Sequence, residues 1–148
     1  MKVGADRALV RAARQVRLNA HAPYSGFKVG AALRRRDGSI YRGCNVENAS
    51  LGAGICAERA ALLQAVADGM RPGEMLALAV YTAAREPTPP CGMCLQCLVE
   101  FGRDLPVLLA GPRRLETVQL LTLLPRPFTR FPRRRGKAIT MRTTRARR

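Results

Sequence analysis

The order in which helical and strand-like apolar patterns follow one another restricts the fold of this 148-residue chain more than any other feature. Segments with helical spacing alternate with short, continuous apolar runs of the length expected for buried strands. The predicted helices are residues 5–20, 55–68 and 92–101, and the predicted strands are residues 27–34, a return strand that begins at Ile40, and residues 75–82 and 106–110. This order predicts an α/β fold.

Two kinds of connection are expected between the predicted strands. Asp37-Gly38 has the chemistry of a hairpin turn between the first two strands, which makes them antiparallel. The helices that separate the later strands indicate right-handed crossovers and parallel pairing. We therefore expect a mixed sheet with helices on both faces.

The segment 113–124 fits two local structures. Its apolar residues suit either one continuous helix or a short strand followed by a helical turn. Pro125 and Pro127 end both of them. We favour the strand and turn.

Length and charge distribution predict one domain and a tail. A chain of this length holds one domain with a core, which we place at residues 1–129. Residues 130–148 contain eight Arg, one Lys and no acidic residue, and we expect them to be a disordered, Arg-rich tail. The formal charge of +16 resembles that of nucleic-acid-binding proteins. Because no aromatic residue follows Phe131 in the tail to stack bases, we interpret the tail as a solvated segment.

Cysteine usage and apolar stretch lengths indicate the compartment. The chain has five cysteines, and an odd number favours thiols or metal ligands over a disulfide framework. No apolar stretch approaches the length of a bilayer span, and charged residues interrupt the region where a signal sequence would lie. We therefore expect a cytoplasmic protein without membrane segments.

The strongest local signal for chemistry is Pro90-Cys91-Gly92-Met93-Cys94, at the junction of a loop and a predicted helix. Two cysteines three residues apart at a helix start can direct both sulfurs to one point, where the helix N-terminus stabilises thiolates. Alone, the pair is compatible with a redox pair, half of a structural zinc site or two small buried residues.

A third cysteine, at the start of the other predicted buried helix, favours a catalytic metal. Cys56 precedes Ala57 and Glu58, and two helices packed on one sheet can bring their N-termini together. Three thiolates would leave one zinc position open to water, since neither His21 nor the other cysteines stand at a second paired-ligand spacing. Among small and apolar neighbours, Glu58 is expected to be buried and to exchange protons with that water.

These residues resemble a known signature. Cys56-Ala57-Glu58-Arg59 followed by Pro90-Cys91-Gly92-Met93-Cys94 is similar to the zinc signature of the cytidine and deoxycytidine deaminases, in its all-cysteine, homotetrameric form. The resemblance includes the segments 22–33, 43–50 and 123–128. It implies a three-layer α-β-α, cytidine deaminase-like fold with a mixed five-stranded sheet.

The resemblance also implies an activity, the hydrolytic deamination of cytidine or deoxycytidine to uridine or deoxyuridine and ammonia by a zinc-activated water. It assigns Cys56, Cys91 and Cys94 as ligands of one Zn²⁺ ion per subunit. Glu58 is then the catalytic residue that moves protons. Arg59 matches the residue that hydrogen-bonds the ligand sulfurs and tempers their charge.

Substrate contacts and assembly follow from the same resemblance. Asn45 and Glu47 match the family's ribose binders, and Phe27 matches the aromatic residue that packs near the base. The backbone around Ala57 would contact the pyrimidine edge. Phe128 matches a C-terminal aromatic residue that can reach a neighbouring subunit's site in a homotetramer.

Two departures from the pattern leave substrate range and assembly open. Leu51 stands where many relatives have an aromatic residue, and Leu95 stands where many have Arg. One alternative is therefore a deaminase of a modified cytosine nucleoside or of an antibiotic of the blasticidin type. The alternative of another class is a zinc-containing nucleic-acid-binding module that uses the basic tail.

Overall fold

The chain forms a five-stranded sheet with helices on both faces, described for residues 6–130 by a computed structural model. The helices are α1 (Arg7–Val16), α2 (Ala57–Ala67), α3 (Gly92–Val99) and α4 (Leu120–Leu123). The strands are β1 (Val29–Arg35), β2 (Ile40–Cys44), β3 (Met75–Thr82), β4 (Pro106–Ala110) and β5 (Leu115–Gln119). Apart from Arg130, the predicted tail lies outside the described residues. Between residues 6 and 130, no helix has the length and apolar character needed to cross a bilayer.

The sheet combines antiparallel and parallel pairs in the order β2-β1-β3-β4-β5. Strand β1 is antiparallel to both β2 and β3, and β5 is antiparallel to β4. Strands β3 and β4 are parallel, and α3 is the crossover between them. The predicted mixed five-stranded sheet is confirmed.

Alternate residues of the strands contact different helices, because side chains along a strand alternate between the two faces of a sheet. On β3, Leu78 and Val80 belong to an apolar cluster that includes buried side chains of α2 and α3. Ala79 and Tyr81 belong to a second cluster, which contains α1. Helix α1 therefore covers one face and α2 and α3 cover the other, as the three-layer prediction requires.

The predicted element ends differ from the observed ones by a few residues. Helix α1 is shorter than residues 5–20, because its continuation at Arg17–Asn19 is a 3₁₀ turn. The β1–β2 turn contains Gly38 at φ 92°, a left-handed conformation that favours glycine. Strand β5 followed by the short helix α4 confirms the strand-and-turn prediction for residues 113–124.

Gly43 allows α2 to lie directly on β2. A Cβ atom at this position would be 2.3 Å from the carbonyl oxygen of Ala57 and 2.3 Å from the backbone nitrogen of Ala61. Only glycine leaves room for so close an approach. The start of α2, with Cys56 as its N-cap residue, is therefore fixed against the strand that ends at Cys44.

Candidate metal centre and active site

Two helices in one layer each begin at a cysteine. Cys56 is the N-cap residue of α2 and Cys91 is the N-cap residue of α3, and both have extended backbone angles. Cys94 lies in the first turn of α3. Because the N-terminal end of a helix carries partial positive charge, both helix starts favour the thiolate form of nearby cysteines.

The structure brings the sulfurs of Cys56, Cys91 and Cys94 together. All three Sγ atoms lie within 4.8 Å of one another, and those of Cys56 and Cys91 are 3.8 Å apart. Two sulfurs bound to one tetrahedral zinc ion, each at about 2.3 Å, would be about 3.8 Å apart. In the described part of the chain, no other three His, Cys, Asp or Glu side chains form such a group. Three sulfur ligands fit zinc and leave one of its four positions open.

The three cysteines differ in burial. Cys94 is buried, Cys56 is half-buried and Cys91 is exposed. Burial, and after it the nearby carboxyl group of Glu58, raises the pKa of the Cys94 thiol. A bound cation would offset this effect, because metal binding favours the deprotonated sulfur. The donor set therefore suits a bound metal cation.

Glu58 is a buried charged side chain beside these sulfurs. Its exposed fraction is 4%, and Thr82 is the only other buried polar residue in the described chain. Oε2 of Glu58 lies 3.7 Å from Sγ of Cys94. Burial raises the pKa of the Glu58 carboxyl group above its ordinary value. A raised pKa brings a carboxyl group closer to the range in which it can accept a proton and return it.

The side chain of Arg59, in the first turn of α2, reaches back to the segment that precedes the helix. Its Nη2 is 3.3 Å from the carbonyl oxygen of Gly54 and 3.9 Å from Sγ of Cys56. The hydrogen bond to Cys56 is the main cause that raises the pKa of Arg59. Its Nε atom is buried and has no hydrogen-bond partner within residues 6–130. These donors beside a sulfur cluster fit a centre with excess negative charge.

A short extended segment after β2 links this centre to a second group of polar residues. Val46 and Ile55 exchange two backbone hydrogen bonds of 3.0 Å each. Ile55 directly precedes Cys56, and Val46 lies between Asn45 and Glu47. Asn45 and Glu47, the two predicted ribose-binding residues, therefore stand on either side of Val46, whose backbone pairs with the residue before Cys56.

Asn45 and Glu47 hold the loop before β1 through its backbone. The amide of Asn45 accepts from the N–H of Val29 at 2.8 Å and donates to the carbonyl oxygen of Phe27 at 2.9 Å. Oε2 of Glu47 accepts from the N–H of Tyr24 at 2.9 Å. The Phe27 side chain on this loop is 44% exposed. The family resemblance implies that Asn45 and Glu47 bind a ribose, and it did not indicate that they also hold the loop.

Two residues in these contacts were not among the predicted site residues. The amide of Gln96 donates to the carbonyl oxygen of Phe128 at 2.7 Å and accepts from its N–H at 3.0 Å. The Ser25 hydroxyl donates to Oε1 of Glu47. Because Ser25 stands two residues before the predicted site residue Phe27, its place near the site could have been predicted from the sequence. No local sequence pattern links Gln96 to Phe128, which is 32 positions away.

The chain is similar to known deaminases over most of its length. The family model described as the cytidine and deoxycytidylate deaminase zinc-binding region matches residues 4–109. A cytidine deaminase of Halalkalibacterium halodurans is 43% identical over 123 residues, which are 82% of this chain and 92% of that protein. One of Sporosarcina psychrophila is 41% identical over 124 residues, or 82% and 90% of the two chains.

Solved structures show the same similarity. The crystal structure of cytidine deaminase from Burkholderia pseudomallei aligns with a TM-score of 0.80 and 47% identity, and covers 83% of this chain and 98% of that one. Cytidine deaminase from Mycobacterium tuberculosis aligns with a TM-score of 0.71 and 38% identity, over 82% and 95% of the two chains. This chain belongs to the cytidine and deoxycytidylate deaminase zinc-binding family, a family of zinc-dependent hydrolases.

Proposed function

We propose that this protein hydrolyses cytidine or deoxycytidine to uridine or deoxyuridine and ammonia, with residues 1–129 as its catalytic domain. The observation that carries the proposal is the position of Glu58, a buried carboxyl group 3.7 Å from a sulfur of the three-cysteine cluster. The relatives that are named cytidine deaminase support the choice of substrate.

In this proposal Cys56, Cys91 and Cys94 hold one zinc ion per subunit. When bound, zinc supplies a Lewis acid that makes water nucleophilic at neutral pH. Three thiolates bring three negative charges to the centre, which opposes the ionisation of water. Arg59 lowers the charge density on the sulfurs, since its Nη2 lies 3.9 Å from Sγ of Cys56 and its buried Nε is a further donor.

Glu58 acts as the proton carrier. Deamination places a water oxygen on the amine-bearing carbon of cytosine and breaks the bond from that carbon to the amine, so both protons of the water must leave its oxygen, one to reach the ring nitrogen and the other to reach the leaving amine. The carboxylate of Glu58 takes the first proton from the water and passes it to the ring nitrogen, then takes the second from the added hydroxyl group and passes it to the leaving amine. Burial raises the pKa of Glu58, which brings it closer to the neutral pH at which such exchange is efficient.

The other predicted residues bind the nucleoside. Asn45 and Glu47 contact the ribose hydroxyls, Phe27 packs near the base and the backbone at Ala57 contacts the pyrimidine edge. The backbone pairing of Val46 with Ile55 supports this assignment, because the segment that holds Asn45 and Glu47 is thereby paired with the residue before Cys56. An amide and a carboxylate can both accept hydrogen bonds from sugar hydroxyls.

The proposal includes a homotetramer that acts in the cytoplasm in pyrimidine salvage. Large exposed apolar side chains support an association between copies, and Phe128 would reach the site of a neighbouring copy. The most exposed of these side chains, from 82% to 57%, are Leu51, Leu18, Met93, Tyr24, Leu63 and Phe128. Light scattering of the active protein measures its mass, and a fully active monomer would contradict the tetramer.

A direct assay tests the activity and the role of Glu58 together. The wild-type protein should convert cytidine to uridine, followed by the loss of cytidine absorbance. Glu58→Gln should retain zinc and its thermal midpoint but lower kcat by about 10²–10⁴-fold. Glu100→Gln, on the exposed C-cap residue of α3, is the matched control and should keep full activity. Near-normal turnover by Glu58→Gln would remove Glu58 from this role.

A further inference from the structure

The carboxylate of Glu47 is the central acceptor of the loop before β1. Oε2 accepts from the N–H groups of Tyr24 and Ser25 at 2.9 and 3.2 Å, and Oε1 accepts from the Ser25 hydroxyl. The hydrogen bond from the hydroxyl is the main cause that lowers the pKa of Glu47. Glu47 is therefore held as an ionised acceptor by a loop that is itself exposed to solvent.

The Ser25 hydroxyl makes a second contact that extends this arrangement. Its oxygen accepts from the N–H of Phe27 at 3.0 Å, across Gly26, whose φ of 68° turns the chain back. The carbonyl oxygen of Phe27 then accepts from the amide of Asn45. The hydrogen bonds thus run in series from Glu47 through Ser25 and Phe27 to Asn45. Within residues 6–130, Ser25 is the one residue that hydrogen-bonds both the Glu47 carboxylate and the backbone of Phe27.

The acceptor capacity of Glu47 leaves room for a ligand on one oxygen. A carboxylate has about four lone-pair positions, two on each oxygen. Oε2 accepts two backbone hydrogen bonds, whereas Oε1 accepts one, from Ser25. The oxygen that Ser25 orients is therefore the one with capacity to accept a further hydroxyl group.

We infer that Ser25 is a positioning residue for the sugar end of the substrate, through its hydrogen bonds to Glu47 and to the backbone of Phe27. The inference rests on the proposed nucleoside deaminase function. Ser25 does not touch the reacting atoms. It sets the direction of Glu47 and the position of the Phe27 backbone before the nucleoside binds, so its loss should weaken binding through the ribose hydroxyls more than it slows the chemical step.

The test compares two substitutions at Ser25 on two ligands. Cytidine carries the 2′ and 3′ hydroxyls, and 2′,3′-dideoxycytidine lacks both. Ser25→Ala should raise KM for cytidine about tenfold, the effect expected for a hydrogen bond to a charged group, with kcat changed less than about twofold. The inhibition constant of dideoxycytidine, measured as a competitor of cytidine, should change less than about twofold. Ser25→Thr keeps the hydroxyl and should restore most of the affinity.

Controls separate this inference from the proposed function and from a loss of folding. Ser39, in the β1–β2 turn, also contacts a carboxylate, that of Asp37, so Ser39→Ala is the matched control and should leave the kinetics unchanged. An unchanged KM for cytidine in Ser25→Ala, or an equal loss of affinity for both ligands, would overturn the inference. Failure of the wild-type protein to deaminate any cytosine nucleoside would instead refute the proposed function.

Discussion

Gly43 of β2 and Ala57 of α2 are in backbone contact, with no room between them for a side chain at position 43. Ala57 stands between Cys56, which contributes one sulfur to the metal centre, and Glu58, the buried carboxyl group beside it. The contact therefore fixes both groups relative to the sheet. A strand residue without any chemical role therefore determines where these two side chains lie.

Gly43→Ala should damage stability and the metal centre together. The atoms that the new Cβ would meet are backbone atoms of α2, so the helix itself must move away from β2. We expect the free energy of unfolding to fall by about 1–3 kcal/mol, the usual cost of overpacking, and the zinc content to fall with it. Urea unfolding and metal analysis measure the two effects.

A second glycine provides the control for this substitution. No atom lies within 4 Å of a Cβ built at Gly52. Gly52→Ala should therefore keep wild-type stability and zinc content. Equal effects of the two substitutions would show that the contact between Gly43 and α2 does not position the site.

Removal of zinc should destabilise the protein. The metal binds three side chains that converge only in the folded chain, so binding stabilises the folded state relative to the unfolded one. We expect a chelator to lower the thermal midpoint by about 10 °C and added zinc to restore it. Cys94→Ser should abolish the response to zinc, whereas Cys97→Ser, one turn further along α3, should preserve it. A midpoint that does not respond to chelation would argue against a stably bound metal.

The order of the elements could be predicted from the sequence because each one has its own periodic signal. The alternation within residues 27–34 and the apolar run at residues 75–82 correspond to β1 and β3, and Asp37-Gly38 lies in the turn between β1 and β2. The predicted end of α1, at residue 20, was wrong by several residues, because the helix ends at Val16. Its last residues form a 3₁₀ turn with similar side-chain spacing, which periodicity does not separate from an α-helix.

The contacts that shape the site could be predicted less well than its residues. Cys56 and Cys94 stand in short motifs whose spacing carries the chemistry. The contact of Gly43 with α2 and the contacts of Glu47 with Tyr24 join segments that are distant in the chain. Such contacts depend on how the layers pack, and neither composition nor periodicity encodes them.

Arg59→Gln should weaken zinc binding without unfolding the domain. Its guanidinium lies beside Sγ of Cys56, and its loss leaves the negative charge of the sulfurs without this donor. Replacing groups that hydrogen-bond metal ligands typically costs about 10–100-fold in metal affinity. Competition with a chelating dye measures that affinity. Arg42→Gln, at an exposed position on β2, should bind zinc as the wild type does, and an equally strong effect there would point to overall charge instead.

The ion pair between Asp6 and Arg34 attaches α1 to β1. Arg34 donates to Asp6 through Nε at 2.6 Å and Nη2 at 2.9 Å, and Oδ1 of Asp6 also accepts from the N–H of Leu9 as the N-cap of α1. The hydrogen bond from Arg34 is the main cause that lowers the pKa of Asp6. Both side chains are about one-fifth exposed, at 22% and 21%, so solvent only partly screens the pair.

This pair should make stability depend on pH in a defined direction. Because the pKa of Asp6 is lower in the folded state, its contribution is fully present above the ordinary carboxyl pKa of about 3.9 and is lost as the pH falls through the folded value. Asp6→Asn should therefore lower the free energy of unfolding by about 1 kcal/mol at pH 7 and by progressively less below about pH 4.

Asp6→Ala also removes the N-cap and should lower the free energy of unfolding by about 1 kcal/mol more at every pH. Urea unfolding, measured at pH 7 and at several values below about pH 4, tests both substitutions, with Asp104→Asn at an exposed position as the control. A difference between the wild type and Asp6→Asn that stays constant with pH would show that the ion pair does not contribute.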